Sequence, residues 1–439
     1  MKSTRRTVLK SVGVLSTGAL GGSGVALLNN GGRDGPKSSK RTDSRFIGTW
    51  TASPQAPVEE GISRDGFADQ TIRMMTHTSV GGDGVRIRLA NTFGDDPVTF
   101  DRATIGVRAA TGSAAVESGT LRRLAFGGDT GVTIPAGARV LSDSVDLTVE
   151  PGCDLVVSLY AAEPTGPTTW HALPTKTSYV ADGDGTDATS GDSFTTEHAQ
   201  WFFLEGVEVV SPRSTGSIVC LGNSITDGHN STVDANATYP DVLAERVNDR
   251  TDIRKSVLNA GISGNRVLND SACCGVNALS RFDRDVLTQP DVTDVIVLEG
   301  INDIGFEKNG EYRSVSAEEI INGYQQLIER AHSHGVRLIG GTLTPFKGAA
   351  YYYDEGEAKR QRVNEYIRNS GAFDGVIDFD TALRDPDDPG RLCPKYDSGD
   401  NLHPNDAGYR RMAEAVDLSL FAGDARAHSS SERHTKTAD

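Results

Sequence analysis

Ser217-Ile218-Val219-Cys220-Leu221-Gly222-Asn223-Ser224-Ile225-Thr226-Asp227-Gly228 decides how the second half of this chain folds. Ile218 to Leu221 form an unbroken apolar run, the pattern of a strand buried on both faces of a parallel sheet. The run stops at Gly222 and gives way to a short polar loop holding a single serine, Ser224. In an open α/β sheet, ligands bind just past the carboxyl ends of the strands. A strand followed by an ordinary serine-bearing turn is the plain alternative, and the residues downstream decide between the two.

From Ser217 onward, strand and helix patterns alternate. Strands are predicted over 218–221, 256–258, 294–298, 336–340 and 375–378, and helices over 239–247, 278–287, 317–332, 357–370 and 405–418. The 317–332 segment shows Ile320, Ile321, Tyr324, Leu327, Ile328 and Ala331 on one face, and His334-Gly335 ends it. This alternation predicts a doubly wound parallel sheet of about five strands over 215–422. Upstream, over 44–212, the pattern is different. Val85-Arg86-Ile87-Arg88-Leu89 alternates strictly, similar short runs follow up to Leu155–Tyr160, and Gly, Pro and Asp turns separate them. An all-β sandwich or jelly-roll domain is expected there.

Four polar clusters follow separate elements of the second half. They are Ser224, then Gly261-Ile262-Ser263-Gly264-Asn265, then Gly300-Ile301-Asn302-Asp303, and finally Asp400-Asn401-Leu402-His403-Pro404. Parallel strands would bring the first three to one edge of the sheet. A serine hydroxyl needs a base to take its proton, and His403 is the natural one. Asp400, three residues earlier, can fix that ring's tautomer and stabilise its cation. A tetrahedral intermediate needs donors set out in advance, and the Ser224 N–H, the Gly264 N–H and the Asn302 amide could supply them. Singly, each cluster has a bland explanation as a cap, a turn or a surface loop. Their joint occurrence in this order favours chemistry.

These four clusters resemble the sequence blocks of the SGNH (GDSL-type) hydrolase superfamily. The resemblance places the nucleophile on Ser224, the oxyanion residues on Ser224, Gly264 and Asn302, and the Asp-x-x-His pair on Asp400 and His403. It implies a flavodoxin-like α/β/α sandwich with a parallel sheet, and an acylesterase that uses no cofactor and no metal. The segments 298–305 and 396–406, with Gly48-Thr49-Trp50-Thr51-Ala52-Ser53-Pro54-Gln55, are similar to a secreted bacterial branch of acylesterases associated with xylan degradation. That branch often carries an extra N-terminal β domain. One departure is Asn223, where the superfamily usually has Asp; its side chain is expected to organise the loop by hydrogen bonds. The resemblance implies hydrolysis of short-chain, acetyl esters on carbohydrate. A lipase or arylesterase is the alternative within the same chemistry, and an idle carbohydrate-binding surface protein is the alternative of another class.

The remaining features bound the reading. A formal net charge of -16 over 439 residues argues against a nucleic-acid partner. Ser3-Thr4-Arg5-Arg6-Thr7-Val8-Leu9-Lys10 and the mildly apolar, Gly-rich run after it resemble a twin-arginine export signal over 1–30, followed by a linker over 31–43. That run is too weakly apolar for a membrane span, although a retained N-terminal anchor stays open. Secretion is therefore expected, with a polar tail over 423–439. Five cysteines leave at least one without an intrachain partner, and Cys273 or Cys274 could bridge to Cys393. Asp182-Gly183-Asp184-Gly185-Thr186-Asp187 looks like a calcium loop, but Thr186 and Ser193 stand where ligands are needed, so an acidic surface loop is expected. Trp170-His171 is expected to be a buried Trp with a satisfied His neighbour. His229 could border the pocket, and 342–356, with Tyr351-Tyr352-Tyr353, could be a substrate-facing lid.

Overall fold

The Gly216–Gly222 strand is buried at every residue, which is why its apolar run needs no alternation. It lies inside a five-stranded parallel sheet, between Lys255–Gly261 on one side and Val292–Leu298 on the other, with Arg337–Gly341 and Gly375–Ile377 beyond. Strand order therefore reverses at Gly216–Gly222, the switch point where open α/β sheets place their sites. Gly222 pairs with Gly261 and with Leu298, so the three loops that follow leave the sheet at one edge. The fold is described from a computed structural model over residues 45–173, 175–211, 216–309 and 313–422. The expected export signal, linker and polar tail lie outside the described residues.

Helices alternate with these strands along the chain, and their starts are written locally. Thr238 with Asp241 and Ser316 with Glu319 form capping boxes at Tyr239–Asn248 and Ala317–Ser333. Three segments depart from expectation. The 278–287 helix is α-helical only over Ala278–Phe282 and continues as a π turn over Asp283–Leu287, with Arg281 and Asp285 buried. The final helix spans Asp406–Ala415, because Val416 leaves the helical region and Asp417 caps a separate turn over Leu418–Phe421. The Asp354–Asn369 helix begins directly after the three tyrosines, with Tyr353 at its N-cap.

The upstream half holds two large antiparallel sheets and two short two-stranded ones, Trp170–His171 with Trp201–Phe202 and Val98–Phe100 with Val132–Ile134. One large sheet contains Arg45–Thr51, Leu204–Ser211, Gly82–Ala90, Arg139–Leu141 and Val145–Val149. The other large sheet runs in the order Thr196–His198, Ser178–Asp182, Gln70–His77, Asp154–Ala161, Arg102–Val107 and Arg122–Arg123. Ile47, Ile72, Met74, Val85, Ile87, Leu89, Val157 and Val209 belong to the apolar core of this half. The polar partners of the alternation do not all face water. Arg88 is buried, donating to Glu208 Oε1 at 3.3 Å and to Gln289 Oε1 of the α/β half at 2.7 Å. Gly48 lies so close to Leu258 that a Cβ there would stand 2.9 Å from its Cδ1. In the Asp182–Asp187 loop, Asp184 holds Thr186 and pairs with Arg102, and Asp187 pairs with Arg123.

Candidate active site

Ser224 opens a one-turn helix, Ser224–Asp227, at the end of the central strand. Asn223 caps it, its Oδ1 accepting the Ile225 N–H at 3.0 Å, and Gly228 closes it at φ 107°. Asn223 thus performs the loop-organising task expected of it, and its amide approaches the buried Glu299 carboxyl. Ser224 is nearly buried, with its hydroxyl 2.8 Å from His403 Nε2. His403 Nδ1 lies 2.6 Å from Asp400 Oδ2, and Asp400 Oδ1 accepts the Leu402 and His403 amides at 2.9 and 2.8 Å. Because Nδ1 faces a carboxylate, it carries the ring proton and leaves the Nε2 lone pair for the serine. Burial pushes Asp400 up, but the hydrogen bonds from the His403 ring and backbone outweigh it and hold the carboxyl well below the usual range. Asn230 Nδ2 adds a donor to Asp400 Oδ2 at 3.2 Å.

The two remaining predicted residues sit in loops bonded to one another. Asn302 Nδ2 donates to the carbonyl of Asn265 at 3.0 Å, and its Oδ1 accepts from the Tyr351 hydroxyl at 3.1 Å. Asn302 lies inside the short helix Ile301–Gly305 rather than capping it; Gly300 is the N-cap. Asp303, pushed up to about 6 by burial, accepts the Val267 and Leu268 amides at 2.7 and 3.1 Å and so fixes the loop after Gly264. Gly264 has φ 77°, and a Cβ on it would stand 2.4 Å from Cys274 Sγ. Such an arrangement can deprotonate a hydroxyl, keep the resulting imidazolium paired, and offer amide donors nearby.

Several contributing residues carry no local sequence signal. Arg281 is fully buried and donates to the carbonyls of Gly222 and Ala260 at 2.9 and 2.7 Å and to Asn265 Oδ1 at 2.9 Å. It therefore ties the ends of two strands to the loop after the second. Asp227 Oδ2 accepts the Ser263 N–H at 2.8 Å, joining the serine helix to the Gly264 loop. The other Asp227 oxygen meets His171 of the upstream half. Nothing in an acidic residue three positions beyond a serine announces either bond.

Other expectations are corrected. The three tyrosines are not a free lid: Tyr351 packs against Phe306 and Phe346 and reaches Asn302, and Tyr353 donates to the Ile304 carbonyl at 3.1 Å. Cys273 pairs with its neighbour Cys274 and not with Cys393, which is free along with Cys153 and Cys220. His229 does border the site, its ring centroid 4.3 Å from that of His403. Burial, and then the neighbouring His403, hold His229 below the ordinary histidine value.

Residues 220–411 match the model of the GDSL-like lipase/acylhydrolase family. No curated protein matches the chain. Solved structures similar to it include a GDSL-like lipase from Bacteroides thetaiotaomicron, 20% identical with a TM-score of 0.36 over 47% of this chain and 88% of that one. An acetyl xylan esterase is 19% identical, with a TM-score of 0.35 over 45% of this chain and 96% of the other. The aryl esterase of M. smegmatis is 17% identical, with a TM-score of 0.36 over 46% and 95% of the two chains. The chain is an enzyme whose residues 220–411 form a GDSL-like lipase/acylhydrolase domain.

Proposed function

We propose that this chain is an exported serine esterase that cleaves short-chain, acetyl esters on carbohydrate through an acyl-enzyme on Ser224. His403 Nε2 takes the Ser224 proton as the oxygen attacks the ester carbonyl, and Asp400 holds the imidazolium formed. The carbonyl oxygen, now anionic, is received by the Ser224 N–H, the Gly264 N–H and the free hydrogen of the Asn302 amide. The C–O bond to the alcohol breaks as His403 returns the proton to the leaving oxygen. Water then attacks the acyl-serine with His403 again as base, releasing the acid and regenerating Ser224. The observation that carries this reading is the unbroken hydrogen-bond chain from Ser224 Oγ through His403 to Asp400. A short, acetyl acyl group rests on the sequence resemblance to the xylan-associated branch. Carbohydrate as the alcohol rests on the sequence resemblance, and export on Arg5-Arg6.

The test compares the protein with Ser224→Ala on aryl esters of increasing acyl length and on acetylated xylan. Loss of the hydroxyl should lower kcat by about 10⁴–10⁶-fold. Acetyl release from xylan should exceed cleavage of longer aryl esters. Equal turnover by the two proteins would remove Ser224 as nucleophile. A preference for long acyl chains would instead point to a lipase.

A further inference from the structure

His171, although it belongs to the β half, lies at the centre of the bonds that hold the site's loops. It is buried, on the short strand Trp170–His171. Its Nδ1 is 2.8 Å from the Ser53 carbonyl oxygen, and its Nε2 is 2.9 Å from Asp227 Oδ1. Both partners can only accept, so both ring nitrogens must donate, and the ring that satisfies them is the imidazolium. Asp227 closes the serine helix and spends its second oxygen on the Ser263 N–H, one residue before Gly264. Ser53 meanwhile accepts on its hydroxyl from Arg281 Nη1 at 3.2 Å, the same guanidinium that binds Gly222, Ala260 and Asn265. Ser53 and His171 are thus the points at which the β half grips both loops.

We propose that His171 is a positioning residue for ester hydrolysis, its imidazolium fixing Asp227 so that the Ser263 amide is held and the Gly264 N–H stays aimed at the oxyanion. This rests on the serine-esterase reading above. It also gives the β half a direct part in the reaction, transmitted through one ion pair. The charged groups around the ring are Asp227 and, opposing it, Arg281; His77 and Asp241 line the small cavity beside it. Burial works against the cation, but the Asp227 charge and the bonds to Asp227 and Ser53 outweigh it and raise the His171 pKa. A histidine raised in the folded state contributes fully below the ordinary histidine range, and the contribution is lost as pH rises through the raised value. The positioning therefore weakens on the alkaline side.

The experiment measures kcat and KM for p-nitrophenyl acetate against pH. The full-length proteins are wild type, His171→Gln, Asp227→Asn, the double variant and Ser224→Ala. Oxyanion donors act in the transition state, so His171→Gln should lower kcat about 10- to 100-fold with KM changed less than about threefold. In the double variant the amide pair can restore both bonds without charge. It should recover most of kcat and lack the alkaline fall seen in wild type. A His171→Gln kcat within twofold of wild type at every pH would overturn the proposal, as would a double variant no better than the product of the single losses. Should His171→Gln not fold, ring ¹⁵N spectra of the wild-type histidines decide. A buried imidazolium persisting above neutral pH is expected, and neutral rings throughout would overturn it. An active Ser224→Ala would instead refute the esterase reading, which separates the two failures.

Discussion

Asn302 shows how the capacity of one side chain is apportioned. An amide offers two hydrogens and one acceptor oxygen. The oxygen is taken by Tyr351 and one hydrogen by the Asn265 carbonyl, which leaves a single N–H whose direction is set by the other two bonds. Replacing Asn302 by Ala removes that donor from a buried position and should lower kcat by roughly 10²–10³-fold while the thermal transition persists. Tyr351→Phe keeps the amide but frees its orientation, and the loss of one hydrogen bond there should reduce kcat only about threefold to tenfold. Steady-state kinetics on p-nitrophenyl acetate with parallel melting curves check both. An Asn302→Ala protein with unchanged turnover would take this amide out of the oxyanion site.

At the scale of elements, the site is a set of strand-end loops held in register, and Gly264 is where that register leaves least room. Its φ of 77° is disfavoured for any residue with a Cβ, and the Cβ itself would meet Cys274 Sγ at 2.4 Å. Cys274 is joined to Cys273 and has little freedom to yield. Gly264→Ala should therefore cost about 1–2 kcal/mol from backbone conformation alone, with more from the contact, and should lower kcat as the N–H turns away. Denaturant unfolding with kinetics measures both, and a variant of unchanged stability would mean the loop relaxes freely. The strands and the four polar clusters were legible because each is written in a few consecutive residues: an apolar run, or a glycine beside a polar turn. The bonds that unite the clusters were not. His171 and Asp227 stand 56 residues apart in the chain, and neither neighbourhood hints at the other. The alternation through Arg86 and Arg88 told that one face of a strand was polar, but periodicity cannot tell water from another half of the molecule as the covering. The tyrosine run likewise gave composition and loop length without direction.

For the whole molecule, that covering makes the two halves dependent on each other. Across the boundary Arg88 donates to Gln289, Arg139 to the Arg284 carbonyl at 3.3 Å, and Asn248 to the Ser79 carbonyl at 2.9 Å. The Val257 amide donates to Ser79 Oγ at 3.2 Å, and Asp234 takes Arg108 at 3.1 Å and the Thr177 hydroxyl at 2.7 Å. Beside the site, Asp227 and Arg281 are buried and depend on His171 and Ser53 for part of their hydrogen bonding. Stripping one side from such groups costs more than the bonds contributed, because each orphaned buried donor or charge bears a desolvation penalty of about 1–3 kcal/mol. Several such penalties together approach the whole stability of an ordinary domain, about 5–15 kcal/mol. Residues 216–422 produced alone should thus lack a cooperative melting transition, or show one far below that of the full chain, with kcat on p-nitrophenyl acetate reduced at least 100-fold. The full chain should unfold in one transition, without the two steps of independent halves. A fragment that melts cooperatively and keeps full turnover would show that the α/β half holds its own loops, and would restrict the β half to roles outside the reaction.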